Sequence, residues 1–88
     1  MIEKEVMVQT PQGLHARNAI AFVMAANSFG SSIWVKTDTH RVRAKSLLEI
    51  LSLNVVGGNK IGIIADGKDE ADATQRLVEL VESGFAEA

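Results

Sequence analysis

One histidine stands where a turn gives way to a long apolar stretch. The run Gly13-Leu14-His15-Ala16-Arg17 is followed by apolar residues from 19 to 26. If that stretch is a helix, His15 lies at its N-terminal edge, where unpaired backbone N–H groups and the positive end of the helix dipole favour an anion. A neutral imidazole can accept a phosphoryl group, and the guanidinium of Arg17 would offset its charge. The pattern indicates phosphoryl transfer on His15, but a surface histidine beside a solvated arginine fits these residues equally well.

The composition excludes several other chemistries. The chain has 88 residues and no cysteine, which leaves out disulfides, thiolate catalysis and cysteine-ligated metals. No acid pair, P-loop or metal-ligand cluster is present, so we expect neither a cofactor nor a metal. The net charge of −2 divides into +3 over residues 1–45 and −5 over residues 46–88. With one tryptophan and no tyrosine, the scattered positive side predicts no nucleic-acid partner.

The N-terminus is charged and lacks the apolar core of a signal peptide. No apolar run approaches the roughly 18 residues that a membrane span needs. We therefore expect a single domain over residues 1–88 that is cytoplasmic and does not insert into a membrane.

Residue patterns predict seven elements in the order βαββαβα. Alternating apolar residues predict strands, and apolar spacings of three and four predict helices. Since each strand has one apolar face, the strands must bury that face against the helices in a two-layer α+β fold. The strands are expected at 2–9, 32–36, 41–44 and 60–65, and the helices at 16–28, 45–53 and from Asp69 to Gly84.

Residues at the predicted helix ends are of types that suit those positions. Asp69 is expected to cap the last helix, after a turn at Asp66-Gly67, and Gly84 stands where a C′ glycine belongs. Ser46 is expected to cap the second helix, with Glu49 completing a capping box. Beside basic residues and at a helix start, Ser46 is also a position where added phosphate would be tolerated.

The first two helices carry more apolar residues than one buried face requires. If Ala19, Phe22, Val23 and Ala26 face the sheet, Ile20 and Met24 are left outside. The second helix raises the same question with Leu47, Leu48 and Leu51. A docking patch for a protein partner and additional core are both consistent with this surplus.

Four segments together resemble one known family. The run from Gly13 to Arg17, the segment Lys45-Ser46-Leu47-Leu48, the pair Ser52-Leu53, and Asp66-Gly67 with its terminal acidic-apolar helix resemble HPr, the histidine-containing phosphocarriers of the bacterial phosphotransferase system. The likeness covers nearly the whole chain. It implies an open-faced β-sandwich, in which three helices cover one face of a four-stranded antiparallel sheet.

The resemblance also implies roles for individual residues. His15 would be phosphorylated by enzyme I, with phosphoenolpyruvate as the ultimate donor, and would pass the group to the A domain of an enzyme II. Arg17 would assist at the phosphate. Ser46 would be the target of an ATP-dependent serine kinase that weakens the first exchange. The docking surface of a monomeric carrier would consist of Ile20, Met24, Leu47, Leu48 and Leu51.

Two positions depart from the family pattern. The histidine motif usually continues with proline, which fixes φ in a first helical turn, where this chain has Asn18. We therefore expect a less rigid His15 loop, which bears on the rate of transfer more than on its existence. Asn54 stands where glycine is common, and because asparagine tolerates a left-handed backbone the turn is expected to form.

Two alternatives to a sugar-uptake carrier remain open. One is a regulatory paralogue, for instance of the nitrogen-related branch, whose phosphorylation state reports metabolic status. The other is a docking module in which Asn18 marks lost transfer activity. The presence of both His15 and Arg17 argues against the docking module, because docking alone requires neither residue.

Overall fold

The computed structural model describes residues 1–14 and 17–85 and contains the expected element order. Strands and helices alternate as βαββαβα within these residues, as the residue patterns predict. Their bounds are β1 Ile2–Met7, α1 Arg17–Asn27, β2 Ser32–Lys36, β3 Arg41–Arg43, α2 Leu47–Ser52, β4 Lys60–Asp66 and α3 Glu70–Glu82.

The four strands form one antiparallel sheet in the order β1-β4-β2-β3. Strand β4 is central, with Ile61 opposite Val6 of β1 and Ile63 opposite Val35 of β2. These four side chains are buried. The opposite face carries polar groups, such as the Lys36 Nζ that lies 2.8 Å from a Glu3 carboxylate oxygen. The predicted open-faced sandwich is therefore confirmed.

Helices α1 and α3 supply the other half of the core. From α1, Ala19, Phe22 and Ala26 are fully buried, as the helical spacing predicts. The predicted buried face of α3 is also present. It consists of Ala73, Leu77, Leu80 and Val81, with Thr74 beside them.

Helix α3 ends in a Schellman motif. Gly84 adopts a φ of 69° and donates its N–H to the Val81 carbonyl at 3.1 Å. The N–H of Phe85 bonds the Leu80 carbonyl at 2.9 Å. The expected C′ role of Gly84 is therefore confirmed, because only a left-handed residue at that position lets both bonds form.

Several predicted boundaries were wrong by one or two residues. Strand β1 ends at Met7 because Val8 exchanges backbone hydrogen bonds with Asn59 and Gly58 in a loop, at 2.8 and 2.7 Å. Strand β3 stops before Ala44, and α2 is shorter than 45–53 at both ends. Strand β4 includes Asp66, which pairs with Ser32 and so belongs to the sheet rather than to a turn. Of the predicted first helix, Ala16 lies outside the described residues, and residues after Asn27 are not helical.

The predicted cap at Asp69 was wrong in its contacts. Asp69 stands at the N-cap position of α3, but its side chain makes no hydrogen bond to that helix. Its carboxylate instead accepts from the backbone N–H groups of Gly30 and Ser31, at 2.9 and 3.0 Å, and from the Ser31 hydroxyl. A residue expected to serve local helix geometry therefore joins α3 to the segment before β2.

Within residues 1–14 and 17–85, no helix is long and apolar enough to cross a membrane.

We predict that the hydrogen bonds from Gly30 and Ser31 to the Asp69 carboxylate make the free energy of unfolding depend on pH. The hydrogen bond from Ser31, and then that from Gly30, holds the pKa of the Asp69 carboxyl below its usual range. The ionised Asp69 carboxylate therefore contributes fully to the free energy of unfolding above about pH 4, the ordinary pKa of an aspartate. This contribution is lost as pH falls through the lower pKa of the folded state. In denaturant titrations, Asp69→Asn should be less stable than the parent at pH 7, and the difference should shrink below pH 4. Asp38→Asn, in the exposed β2–β3 turn, controls for the lost charge, and a difference that stays constant down to pH 2 would contradict the assignment.

Candidate functional site

The predicted phosphoryl acceptor lies between two described residues of different character. His15 and Ala16 are themselves outside the described residues. Leu14, before them, is fully buried, and Arg17, after them, is exposed as the first residue of α1. The chain therefore reaches the candidate site from the core and leaves it along a helix whose first turn presents N–H groups.

The approach to the site is fixed by contact between two loop backbones. Gly13 donates its N–H to the Thr10 carbonyl at 2.9 Å, and Leu14 donates to the Val55 carbonyl at 3.0 Å. Gly13 has a φ of 63°, and a Cβ added there would lie 2.0 Å from the Val55 oxygen. The left-handed conformation and the close approach both require glycine at position 13.

The loop that supplies Val55 turns at Asn54. This residue has a φ of 52°, as expected for an asparagine in place of a glycine. Further along the loop, the side-chain oxygen of Asn59 accepts from the Val56 N–H at 3.0 Å. The loop that contacts Gly13 is thus stabilised by its own turn residues, Asn54 and Asn59.

Asn18 makes a contact that its sequence position did not predict. Its side-chain amide donates to the Gly13 carbonyl at 3.0 Å, five residues back along the chain. The side chain is half-buried. The expectation of a less rigid loop did not include this hydrogen bond, whose partners lie on either side of residues 14–17.

The residues predicted to dock a partner lie on two neighbouring helices. Ile20 and Met24 on α1 are 48% and 70% exposed, and on α2 Leu47 is 36% and Leu48 is 82% exposed. Because these four side chains are exposed, they do not form additional core, which was the alternative interpretation. Leu51 differs, because it is half-buried and packs against the core. We call these five residues the docking surface, after the role predicted for them.

Polar contacts connect the end of α1 to the segment before α2. The Asn27 amide donates to the Val23 carbonyl within α1, at 2.9 Å, and to the Lys45 carbonyl before α2, at 3.3 Å. The ammonium of Lys45 in turn donates to the Phe29 carbonyl at 2.7 Å. The orientation of α2 against α1 is thus set by the segments at their ends.

A groove of about 500 Å³ extends this side of the molecule toward α3. Its lining includes Arg17, Ile20 and Met24 from α1, and Leu80 and Phe85 from the end of the chain. The guanidinium predicted to assist at the phosphate therefore borders an apolar depression that continues from the docking surface.

Ser46 caps α2 as predicted, but without a complete capping box. Its hydroxyl accepts from the Glu49 N–H at 3.4 Å. The Glu49 carboxylate does not return to Ser46. It accepts from the backbone N–H of Arg43 at 2.9 Å and from the Arg43 Nε at 2.7 Å. These bonds from Arg43 hold the pKa of the Glu49 carboxyl below its usual range.

The other histidine shows no comparable setting. His40 is exposed after the β2–β3 turn, and its Nδ1 lies 2.8 Å from the Thr39 hydroxyl. In the part of the chain that the structure describes, no three potential metal-ligating side chains come together.

Comparisons with known proteins agree on one family. A sequence model described as "PTS HPr component phosphorylation site" matches residues 2–83. The chain is 40% identical to the HPr-like protein Crh of Halalkalibacterium halodurans, covering 93% of this chain and 98% of that protein. It is 39% identical to the phosphocarrier protein HPr of Borreliella burgdorferi, covering 94% and 96%. A crystal structure of HPr-C-His from Thermoanaerobacter tengcongensis superposes with a TM-score of 0.95 at 44% identity, covering 100% and 99%.

The contact between Gly13 and Val55 gives a stability prediction. Gly13→Ala combines a left-handed backbone with a collision against a backbone oxygen and should lower the free energy of unfolding by about 2–4 kcal/mol. Gly58→Ala is the matched control, because Gly58 also has a positive φ, of 93°, but no atom lies within 4 Å of an added Cβ. It should lose only about 1–2 kcal/mol. If denaturant unfolding shows the same decrease in the free energy of unfolding for both variants, the close approach to Val55 does not contribute to stability.

Proposed function

The chain belongs to the HPr family of the phosphotransferase system, and we propose that it is a phosphocarrier with His15 as its phosphoryl acceptor. The group would come from enzyme I, itself charged by phosphoenolpyruvate, and would pass to the A domain of an enzyme II in sugar uptake. The observation that carries this proposal is the exposed Arg17 at the first turn of α1, two residues after His15 and within the residues that match the family's phosphorylation-site model.

The transfer needs no group beyond the two proteins. One ring nitrogen of neutral His15 attacks the donor phosphorus, and a nitrogen–phosphorus bond forms as the donor's bond to phosphorus breaks. The donor keeps the electron pair of the broken bond. In the second transfer, the nucleophile of the A domain attacks the same phosphorus and His15 is released as neutral imidazole.

Arg17 and the start of α1 support the phosphate during both transfers. The exposed guanidinium can donate to the phosphate oxygens, and the free N–H groups of the first helical turn point toward an anion at that end. Since these donors are in place before the reaction, they stabilise the developing charge without rearrangement.

The docking surface accounts for recognition. Its exposed apolar side chains would pack against enzyme I and then against an A domain, so one face serves each partner in turn. The carrier is proposed to act as a monomer, because these residues must be free for both encounters. Ser46 would be the regulatory site of a serine kinase, since phosphate added there would place negative charge at the start of α2, directly before Leu47 and Leu48 of the docking surface.

A regulatory protein is the second candidate. The relative Crh, similar over nearly the whole chain, is named as HPr-like rather than as a phosphocarrier. A regulator of this kind, including one of the nitrogen-related branch, would use the same docking surface. The presence of His15 with Arg17 argues against a module that only docks, because docking requires neither residue.

The central experiment follows phosphate from labelled phosphoenolpyruvate through purified enzyme I. The parent protein should become labelled and His15→Ala should not, while His40→Ala controls for loss of a histidine and should label like the parent. The label should be acid-labile, since a phosphoramidate hydrolyses in acid and a phosphate ester on Ser46 does not. Acid-stable label, or a folded parent that takes up none, would contradict the carrier.

Docking is tested separately from transfer. Leu48→Asp places a charge on the docking surface and should weaken binding to enzyme I at least about tenfold, or ~1.4 kcal/mol. Because Leu48 is 82% exposed, the free energy of unfolding should change by less than about 0.5 kcal/mol. Met7→Asp is the matched control, since Met7 is 43% exposed on β1, outside the docking surface, and should keep parental affinity. If titration calorimetry finds that both variants bind enzyme I equally weakly, the assignment of Leu48 to a docking surface is wrong.

A further inference from the structure

Asn18 connects the two described ends of the segment that contains the proposed acceptor. Its amide nitrogen lies 3.0 Å from the Gly13 carbonyl oxygen, and the contact is partly buried. Between the two bonded residues lie positions 14–17, which include His15 and Arg17. The hydrogen bond therefore connects residues on the two sides of these positions in the sequence.

Each end of this connection is already anchored to the core. On one side, Gly13 is held by Thr10 and by its close approach to Val55, and Leu14 is fully buried. On the other side, α1 packs on the core through buried residues such as Ala19. The amide of Asn18 thus links two supports that each pack on the core, and it restrains one relative to the other.

The chemistry of the side chain suits this position. A neutral amide donates a hydrogen bond without adding charge beside the site where phosphate would bind. An aspartate at position 18 would offer no proton at neutral pH and would repel both the carbonyl oxygen and the phosphate. An alanine would leave the two supports without a link.

We propose that Asn18 is a positioning residue for phosphoryl transfer. By bonding Gly13, it sets where the start of α1, with Arg17 and the first N–H groups, stands relative to the point from which the acceptor segment departs. Because transfer requires the reacting atoms to be aligned, a small displacement of either support lowers the rate. This inference rests on the proposed phosphocarrier function.

The test measures transfer from phosphorylated enzyme I over a range of carrier concentrations. For Asn18→Ala the maximal rate should fall about fivefold, equivalent to ~1 kcal/mol for one neutral hydrogen bond. Asn18→Asp should lose more, and Asn18→Gln, which keeps the donor, should retain at least half of the parental rate. The concentration for half-maximal rate should stay within twofold of the parent, because the docking surface is unchanged.

Ser28→Ala is the matched control. It also removes a side chain that donates to a backbone carbonyl, that of Ala25, but at the end of α1 away from Gly13. Its maximal rate should match the parent even where its melting temperature falls as far as that of Asn18→Ala. A general loss of stability would instead lower both variants together.

The outcomes separate this inference from the proposed function. A parent that accepts phosphate while Asn18→Ala and Asn18→Asp keep its maximal rate would overturn the positioning role and leave the carrier intact. A change confined to the carrier concentration that gives half of the maximal rate would also overturn it, since that result indicates weaker docking. A folded parent that accepts no phosphate would remove the proposed function itself.

Discussion

The structure depends on burying one face of a four-stranded sheet. With β4 in the middle, the inward side chains of the sheet form a continuous apolar layer that α1 and α3 cover. Each helix can bury only one side against this layer. Since α1 is apolar around its circumference, Ile20 and Met24 are left on the surface. The same packing that stabilises the fold therefore produces the exposed apolar residues that we assign to docking.

A second constraint governs the candidate site. The segment leading to His15 has no strand or helix to fix it, and its position comes from contacts of Gly13 and Leu14 with the loop at Val55. Asn18 adds a link from the other side, through its amide. The proposed acceptor thus follows a buried leucine in the sequence and precedes a helix that packs on the core.

Local patterns predicted the element order and the buried face of α3, because each rests on periodicity that one element displays by itself, whereas the antiparallel open-faced sheet was implied by the family resemblance. They were less reliable where a side chain has distant partners. Asp69 was expected to cap α3 and instead bonds Gly30 and Ser31, 39 and 38 residues away in sequence. Glu49 was expected to complete a capping box and instead binds Arg43. The types of these residues suit both roles, so their sequence positions do not distinguish them.

The sequence by itself determined the family resemblance, the choice of His15 and Arg17, and the surplus of apolar residues, because these depend on residue identity and spacing along one chain. Only the tertiary structure decided which surplus residues are exposed, placing Leu48 outside and turning Leu51 toward the core. It also decided that Asn18 bonds Gly13. The physical reason is shared: exposure and side-chain partners depend on which other elements pack nearby, and local periodicity contains no information about that arrangement.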